Sequence, residues 1–338
     1  MRGLFGHQGT ITLRQRALLR WYRTHGRHTL PWRLTRDPYA ILVSEVMLQQ
    51  TQVDRVIPYW IAWMRRWPTI GALARAKRAS VIRVWAGLGY NRRAVYLHRA
   101  AQGIVCDPVL QKLFSFSHEL VIGFTRLPPL RVRGARGVTM RALITPFIPL
   151  TVRGKCALDI QTRRDWGSVL QRLPGVGPYT ANALLAFAWN LPAPCVDTNV
   201  RRVLAHAIYR RPAIMRLPHR AIERLAARVI PNRRGRDWNY ALMDYGALAF
   251  RARDISKCPK SDLGHLGRER RVEKFEGSAR FWRGRIVAVL RDARTPLSFR
   301  RLRRELQRYG DPPVLRPLVG ALVRDGVIRA VGGRHQLA

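Results

Sequence analysis

The chain has 338 residues, 47% of them hydrophobic, and sets 62 Lys and Arg against 20 Asp and Glu for a formal charge of +42. That length and apolar content suit two or three packed domains, and the charge points to a polyanion, nucleic acid first, because guanidinium forks match phosphate oxygens; a coding bias toward arginine would raise the count without building a binding face. Cys106, Cys156, Cys195 and Cys258 are too dispersed for a metal cluster or a disulfide framework, and neither MRGLFGHQG nor any long uncharged apolar run reads as a signal or a membrane span, so the cytoplasm is expected and a membrane is not.

Residues 13–24 form the first predicted helix, with Leu13, Ala17, Leu18 and Trp21 on one side, before Gly26 and Pro31 break the pattern. Asp37 and Pro38 then cap and start a second helix through YAILVSEVMLQQ. Val53, Val56, Ile57, Trp60, Ile61 and Met64 stripe a third, and shorter pieces follow at about residues 70–74, 79–86 and 92–104. Residues 107–165 lose this periodicity and read as an irregular basic insertion. Helical order resumes at 166–173, then at 178–189, 199–209, 217–229 and 238–250. The tail is a separate unit. SARFWRGRIVAVLRDA and SFRRLRRELQRYG suggest two short helices, followed by another helix, a turn at Asp325 and Gly326, and two strands around Gly332 and Gly333, the order of a winged helix.

Two local patterns carry chemistry. In QRLPGVGPYTANALLAF, Pro174 ends one helix, Gly175 and Gly177 permit backbone angles barred to other residues, and Pro178 suits the first turn of the next helix. Free N–H groups at such a helix start form an anion nest, and on a basic chain a DNA phosphate is the natural occupant; an ordinary tight helix connection fits the same residues. Glu45 lies in an otherwise apolar helix. Desolvation there would raise its pKa toward neutrality and suit it to donate a proton, although a surface acid would leave the same trace. Asp197 precedes a predicted helix, where aspartate is a common cap.

LPGVGPYTA followed by VDTNVRRVLA resembles the helix–hairpin–helix and Gly/Pro-rich loop with aspartate of the endonuclease III superfamily of DNA glycosylases. LPWR, DPYAILVSEVMLQQTQV, VIPYW, WAGLGYNRRAVYLHRAA and ALMDYGA resemble its adenine DNA glycosylase branch more closely, over residues 12–105 and 166–250. The resemblance implies an all-α, two-lobed fold. Residues 38–106 and 166–184 would form a six-helix-barrel lobe bearing the hairpin, with 1–37 and 185–271 as the second lobe, 107–165 as the insertion, and 272–338 as a winged-helix-like C-terminal unit.

It also implies a monomeric base-excision-repair enzyme that binds mismatched double-stranded DNA and removes adenine opposite 8-oxoguanine or G. Glu45 would protonate adenine N7, and Asp197 would stabilise the oxocarbenium-like sugar, a two-carboxylate division of labour known from glycoside chemistry. The base must first leave the stack. By the same resemblance Gln49 and Gln50 enter near the vacated position, Tyr90 wedges beside the opposing guanine, Arg33 and Asn199 line the adenine pocket, and Gly175 and Gly177 hold the phosphate. Tyr179 stands where strand-cutting members carry a lysine, so no Schiff base is expected; tyrosine here also resembles thymine glycosylases acting on T opposite G. A catalytically silent DNA-binding homologue stays open as well.

Two departures stand out. The family usually holds a [4Fe–4S] cluster with four cysteines just after the ALMDYGA position, whereas this chain has Phe250 in the first ligand's place and a single Cys258 nearby, so no cluster and no metal are expected. Residues 272–338 are also too few for the nucleotide-diphosphate-hydrolase-like domain that ends typical relatives.

Overall fold

Because its sequence is apolar on every side, helix α2 (Pro38–Leu48) has to be buried all round, and the rest of the main body wraps it. The architecture is that of a computed structural model, which describes residues 8–115, 166–249 and 275–338. Asp37 caps α2 by accepting from the Tyr39 N–H at 2.9 Å, with Pro38 behind it. Residues 38 to 47 are all buried.

Tryptophans pack around this helix with their polar edges satisfied. Trp60 Nε1 donates to the Ala40 carbonyl at 2.9 Å, Trp63 Nε1 to the Tyr39 hydroxyl at 3.2 Å, and that hydroxyl to the Trp67 carbonyl at 2.8 Å. Tyr39, Trp60 and Trp63 therefore contribute apolar area without leaving a donor stranded.

Chain order runs α1 (Gln8–His25), a 3-10 turn (Pro31–Arg33), α2, α3 (Val53–Arg66), α4 (Ile70–Ala74), α5 (Arg78–Trp85), α6 (Arg92–Cys106) and α7 (Pro108–Ser115). It continues with α8 (Trp166–Gln171), α9 (Pro178–Phe187), α10 (Thr198–Val203), α11 (His219–Arg228) and α12 (Gly235–Leu248). The N-terminal helix α1 packs on the late helix α12, and Arg14 donates to the Ile208 carbonyl at 2.6 Å, so distant parts of the chain close one body. Gly246 makes another close crossing possible. A Cβ there would lie 2.7 Å from the Asn199 Cβ, so only glycine lets α10 seat on α12.

Several expectations need correction. Residues 108–115, assigned to the irregular insertion, form α7, whose Leu110, Leu113 and Phe114 are buried; the short period was masked by the proline and arginine content that follows. The remainder of the expected insertion, and Cys258 with its flanking segment, lie outside the described residues. The helix expected over 199–209 is α only to Val203. It then widens into a π-helical turn, Leu204–Ile208, closed by the Tyr209 N–H on the Leu204 carbonyl at 2.9 Å.

The C-terminal unit comprises α13 (Ala279–Asp292), β1 (Leu297–Ser298), α14 (Phe299–Leu306), α15 (Leu315–Arg324), β2 (Ile328–Val331) and β3 (Arg334–Leu337). Its antiparallel sheet has the order β1-β3-β2, with Ile328 opposite Leu337 and Leu297 opposite His335. Strand β1, two residues long, escaped the sequence reading because no alternation can show in two positions. Ser278 and Ser298 cap α13 and α14. The unit's core takes in Ile82 of α5 and Val95 of α6, so the tail sits against the main body rather than apart from it. Asp325 pairs with Arg283 inside the unit and, across the seam at 3.5 Å, with the exposed Arg92 of α6.

Candidate active site

Glu45 is the one acid on α2 and is 9% exposed. Burial pushes its carboxyl up to about 7, with Arg33 pulling the other way and Asp197 adding to the rise. The charge of Asp197 therefore reaches Glu45, although the two acids come from helices far apart in sequence.

Asp197 is the N-cap of α10, its carboxylate accepting the Val200 N–H at 2.7 Å. Burial raises its pKa, and the N–H groups of Val200 and Asn199 together with the Asn199 side chain oppose that rise. The cap reading of Asp197 holds, and the capping carboxylate is also largely buried. Helix-start N–H groups steady a negative charge at this point, and Asn199 touches the acid directly.

Tyr179 is the second residue of α9, and its phenol is held well above its usual range, first by burial and then by Glu45, Cys195 and Asp197. It stays neutral beside the acids. Cys195 lies in the same neighbourhood, buried, with its backbone N–H on Asn239 Oδ1 at 2.9 Å.

Arg33 is buried at the other edge of this cluster. Its two terminal nitrogens fork onto Asp244 at 2.6 and 2.9 Å, and its guanidinium carbon lies 4.1 Å from the Tyr240 ring centroid. Burial alone would raise the Asp244 carboxyl; the Arg33 fork and the Arg27 contacts outweigh it and hold Asp244 below its usual range. Arg27 adds its backbone N–H at 2.8 Å and Nε at 2.7 Å. Asp244 and Tyr240 were not among the residues singled out from the sequence. The signal for Asp244 was the ALMDYGA stretch, in which one acid within an apolar run must find a buried cation; Tyr240 lies just ahead of it.

Gln49 and Gln50 lie at the C-terminal end of α2, about one helical turn from Glu45, and Arg93 connects them to Tyr90, bonding the Gln49 carbonyl with its guanidinium carbon 5.5 Å from the Tyr90 ring. Gln50 and Tyr90 both adopt left-handed backbone, with φ of 57° and 48°. Such strain costs about 1–3 kcal/mol per residue and persists only where surrounding bonds over-determine it. Arg93 supplies those bonds. From its buried position on α6 it donates to the carbonyls of Val46, Met47 and Gln49 and to the Thr51 hydroxyl on one side, and to the carbonyls of Leu88 and Gly89 on the other. Arg93 is also a residue that the sequence reading missed; within NRRAVYL nothing separates it from its solvated neighbour Arg92.

The hairpin turn lies between α8 and α9. Gly175 has φ 81°, and a Cβ there would stand 2.9 Å from the Tyr96 Cβ. Gly177 departs from expectation. Its φ of −88° and ψ of −179° are extended backbone open to any residue, and a Cβ would meet nothing within 4 Å. It is therefore not required for the turn itself. Ala181 makes the first helical bond of α9, to the Gly177 carbonyl at 2.9 Å, which leaves the N–H groups of Tyr179 and Thr180 without an intrahelical acceptor. The turn thus leads directly into the helix that carries Tyr179.

Among the described residues no group of three or more His, Cys, Asp or Glu side chains could hold a metal ion. A four-iron cluster needs four thiolates, and the donors here do not fit one: Cys195 is buried beside the acids, Cys106 is exposed at the end of α6, and Cys258 is the single cysteine between 249 and 271. Among the described residues no helix is long and apolar enough to cross a membrane.

A helical body built round one buried acid, with a Gly/Pro hairpin leading to a second, matches a known family over residues 43–231: the chain belongs to the HhH-GPD superfamily of base excision DNA repair proteins. With membership comes the enzyme class, a DNA glycosylase of the hydrolase kind. The chain is 33% identical to the adenine DNA glycosylase of Mycolicibacterium smegmatis over 332 residues, covering 95% of this chain and 94% of that protein. It is 35% identical to the adenine DNA glycosylase of Mycobacterium tuberculosis over 295 residues, 83% of this chain and 79% of that one. The solved structure of a thermostable thymine-DNA glycosylase overlays with a TM-score of 0.50 at 23% identity, over 75% of this chain and 95% of that one, a likeness of fold.

Proposed function

We propose that the chain releases adenine from double-stranded DNA in which it is mispaired with 8-oxoguanine or G, with Glu45 as general acid and Asp197 as the carboxylate that stabilises the sugar cation. The observation that carries this reading is the pairing of a buried Glu45 poised at about 7 with a helix-capping Asp197 inside its field. The identities to adenine DNA glycosylases along most of the chain support the base assignment.

The nucleotide leaves the stack, and Glu45, about half of it protonated at neutral pH, gives its proton to adenine N7. The C1′–N9 bond breaks with its electron pair going to the base. Positive charge spreads over C1′ and the ring oxygen, where Asp197 stabilises it. Water adds at C1′ and loses its proton to a carboxylate, leaving an abasic site. Tyr179, a neutral phenol, has no amine to form an imine, so borohydride should trap no complex with DNA.

Arg33 and Asn199 shape the pocket edge through Asp244 and Asp197. Gln49, Gln50 and Tyr90 meet the vacated position and the opposing base, and the hairpin binds a phosphate through its N–H groups, with Gly177 keeping clear the path of approach. We further read the body as two lobes working as a monomer and the tail as winged-helix-like; its β1-β3-β2 order supports the latter.

The test uses duplexes bearing A:8-oxoguanine, A:G and T:G under single turnover, followed by alkali to cut at abasic sites. Adenine release is expected. Thymine release alone would reassign the substrate, and product from none of the duplexes would leave a mismatch-binding protein without chemistry.

A further inference from the structure

We propose that Arg280 of the C-terminal unit is a positioning residue for Tyr90, so that the tail holds the wedge in the attitude in which it enters the duplex. The inference rests on the role given to Tyr90 above. The Arg280 guanidinium carbon lies 4.1 Å from the centroid of the Tyr90 ring, closer than the 5.5 Å of Arg93, and 5.6 Å from the exposed ring of Phe275. These are cation–π distances.

The placement is costly in ways that a ring contact offsets. Arg280 is the second residue of α13, whose first turn contains no acid, so its charge faces the positive end of the helix. No salt bridge joins it to a carboxylate among the described residues. Its charge also bears on Arg93, and two guanidiniums thus converge on one ring. An exposed aromatic on left-handed backbone, flanked by uncompensated cations, suits an anionic duplex rather than free solvent.

The seat of the tail fixes this contact. Asp325 ties Arg283 of α13 to Arg92, two residues from Tyr90, and Ile82 and Val95 complete the tail's own core. Packing of the tail on Ile82 and Val95 thus places Arg280 beside Tyr90.

The experiment compares full-length wild type, Arg280→Ala, Arg280→Lys, Tyr90→Ala and the double variant Arg280→Ala/Tyr90→Ala. It measures binding to A:8-oxoguanine and fully matched duplexes, single-turnover adenine release and thermal unfolding. Arg280→Ala should reduce the mismatch-over-match binding ratio about two- to fivefold, the range of an exposed cation–π contact, with unfolding lowered only by the small worth of that same contact. Arg280→Lys should recover part of the ratio, and the double variant should lose no more than Tyr90→Ala alone, because the arginine acts through the ring. Losses that add in full, together with a shallower salt dependence for Arg280→Ala, would make Arg280 an independent phosphate contact and overturn the proposal. So would an unchanged ratio. A wild-type chain that prefers mismatches but releases no base would remove the glycosylase reading and leave this inference to the binding data; one with no mismatch preference would sink both.

Discussion

Arg33 and Asp244 close on each other in a two-pronged fork, at 2.6 and 2.9 Å, with 5% and 0% of their side chains exposed. The pair joins the chain's entry segment to α12 and sets a positive charge within reach of Glu45. Removing one partner strands the other in a dry site. Asp244→Ala should therefore destabilise the fold by about 3–5 kcal/mol in urea titration. Because the Asp244 carboxyl is held below its usual range, its contribution is fully present above the unfolded pKa and is lost as pH falls through the folded one. The wild-type loss of stability on acidification should accordingly shrink in the variant.

Glu45 behaves in the opposite sense. Its folded pKa of about 7 stands above the ordinary 4.5, so the folded state binds the proton more tightly, and stability falls as pH rises between those values and is flat beyond. Glu45→Gln should remove that slope. At neutral pH it should stabilise the chain by an amount on the order of 3 kcal/mol, while adenine release collapses. Thermal melts from pH 4 to 8 check the first effect and single-turnover assays the second. In the wild type the release rate should fall as pH rises through about 7, where the proton to be donated is lost.

Asp197→Asn separates charge from structure. Asparagine caps a helix as well as aspartate does, so α10 and thermal stability should be kept. The sugar cation would lose its counter-charge, and base release should fall by a factor of roughly 100 or more, as when an electrostatic stabiliser is removed, with mismatch binding retained. Full activity in this variant would refute the assigned role.

The hairpin glycines should part company. Gly175→Ala forces a side chain into φ 81° and against Tyr96, and should cost about 1–3 kcal/mol of stability. Gly177→Ala meets neither obstacle, so its melting temperature should hold. If a phosphate approaches there, the added methyl should still weaken DNA binding with matched and mismatched duplex alike. A Gly177→Ala chain with wild-type affinity would remove Gly177 from the contact.

Much of the body was legible because its signals were local. An apolar run with one acid announces a buried helix and a perturbed carboxyl, and α2 is both. Asp37, Pro38 and Pro178 mark helix starts by stereochemistry alone. What escaped was set by distant partners. Nothing near Asp244 names Arg33 as its counter-ion, nothing in a run of arginines singles out Arg93, and Gly177 resembles Gly175 until the dihedral angles separate them. Helix α7 was hidden by its proximity to a compositionally irregular stretch, and β1 by its brevity.

Arg93 has a mechanical consequence. Since a single guanidinium ties the segment after α2 to the one preceding α6, neither can shift without breaking bonds to the other. The tyrosine at the surface and the helix that carries Glu45 are thus held to the same guanidinium. Under the roles proposed for Tyr90 and Glu45, a shift of the wedge would be felt at the acid through this one side chain.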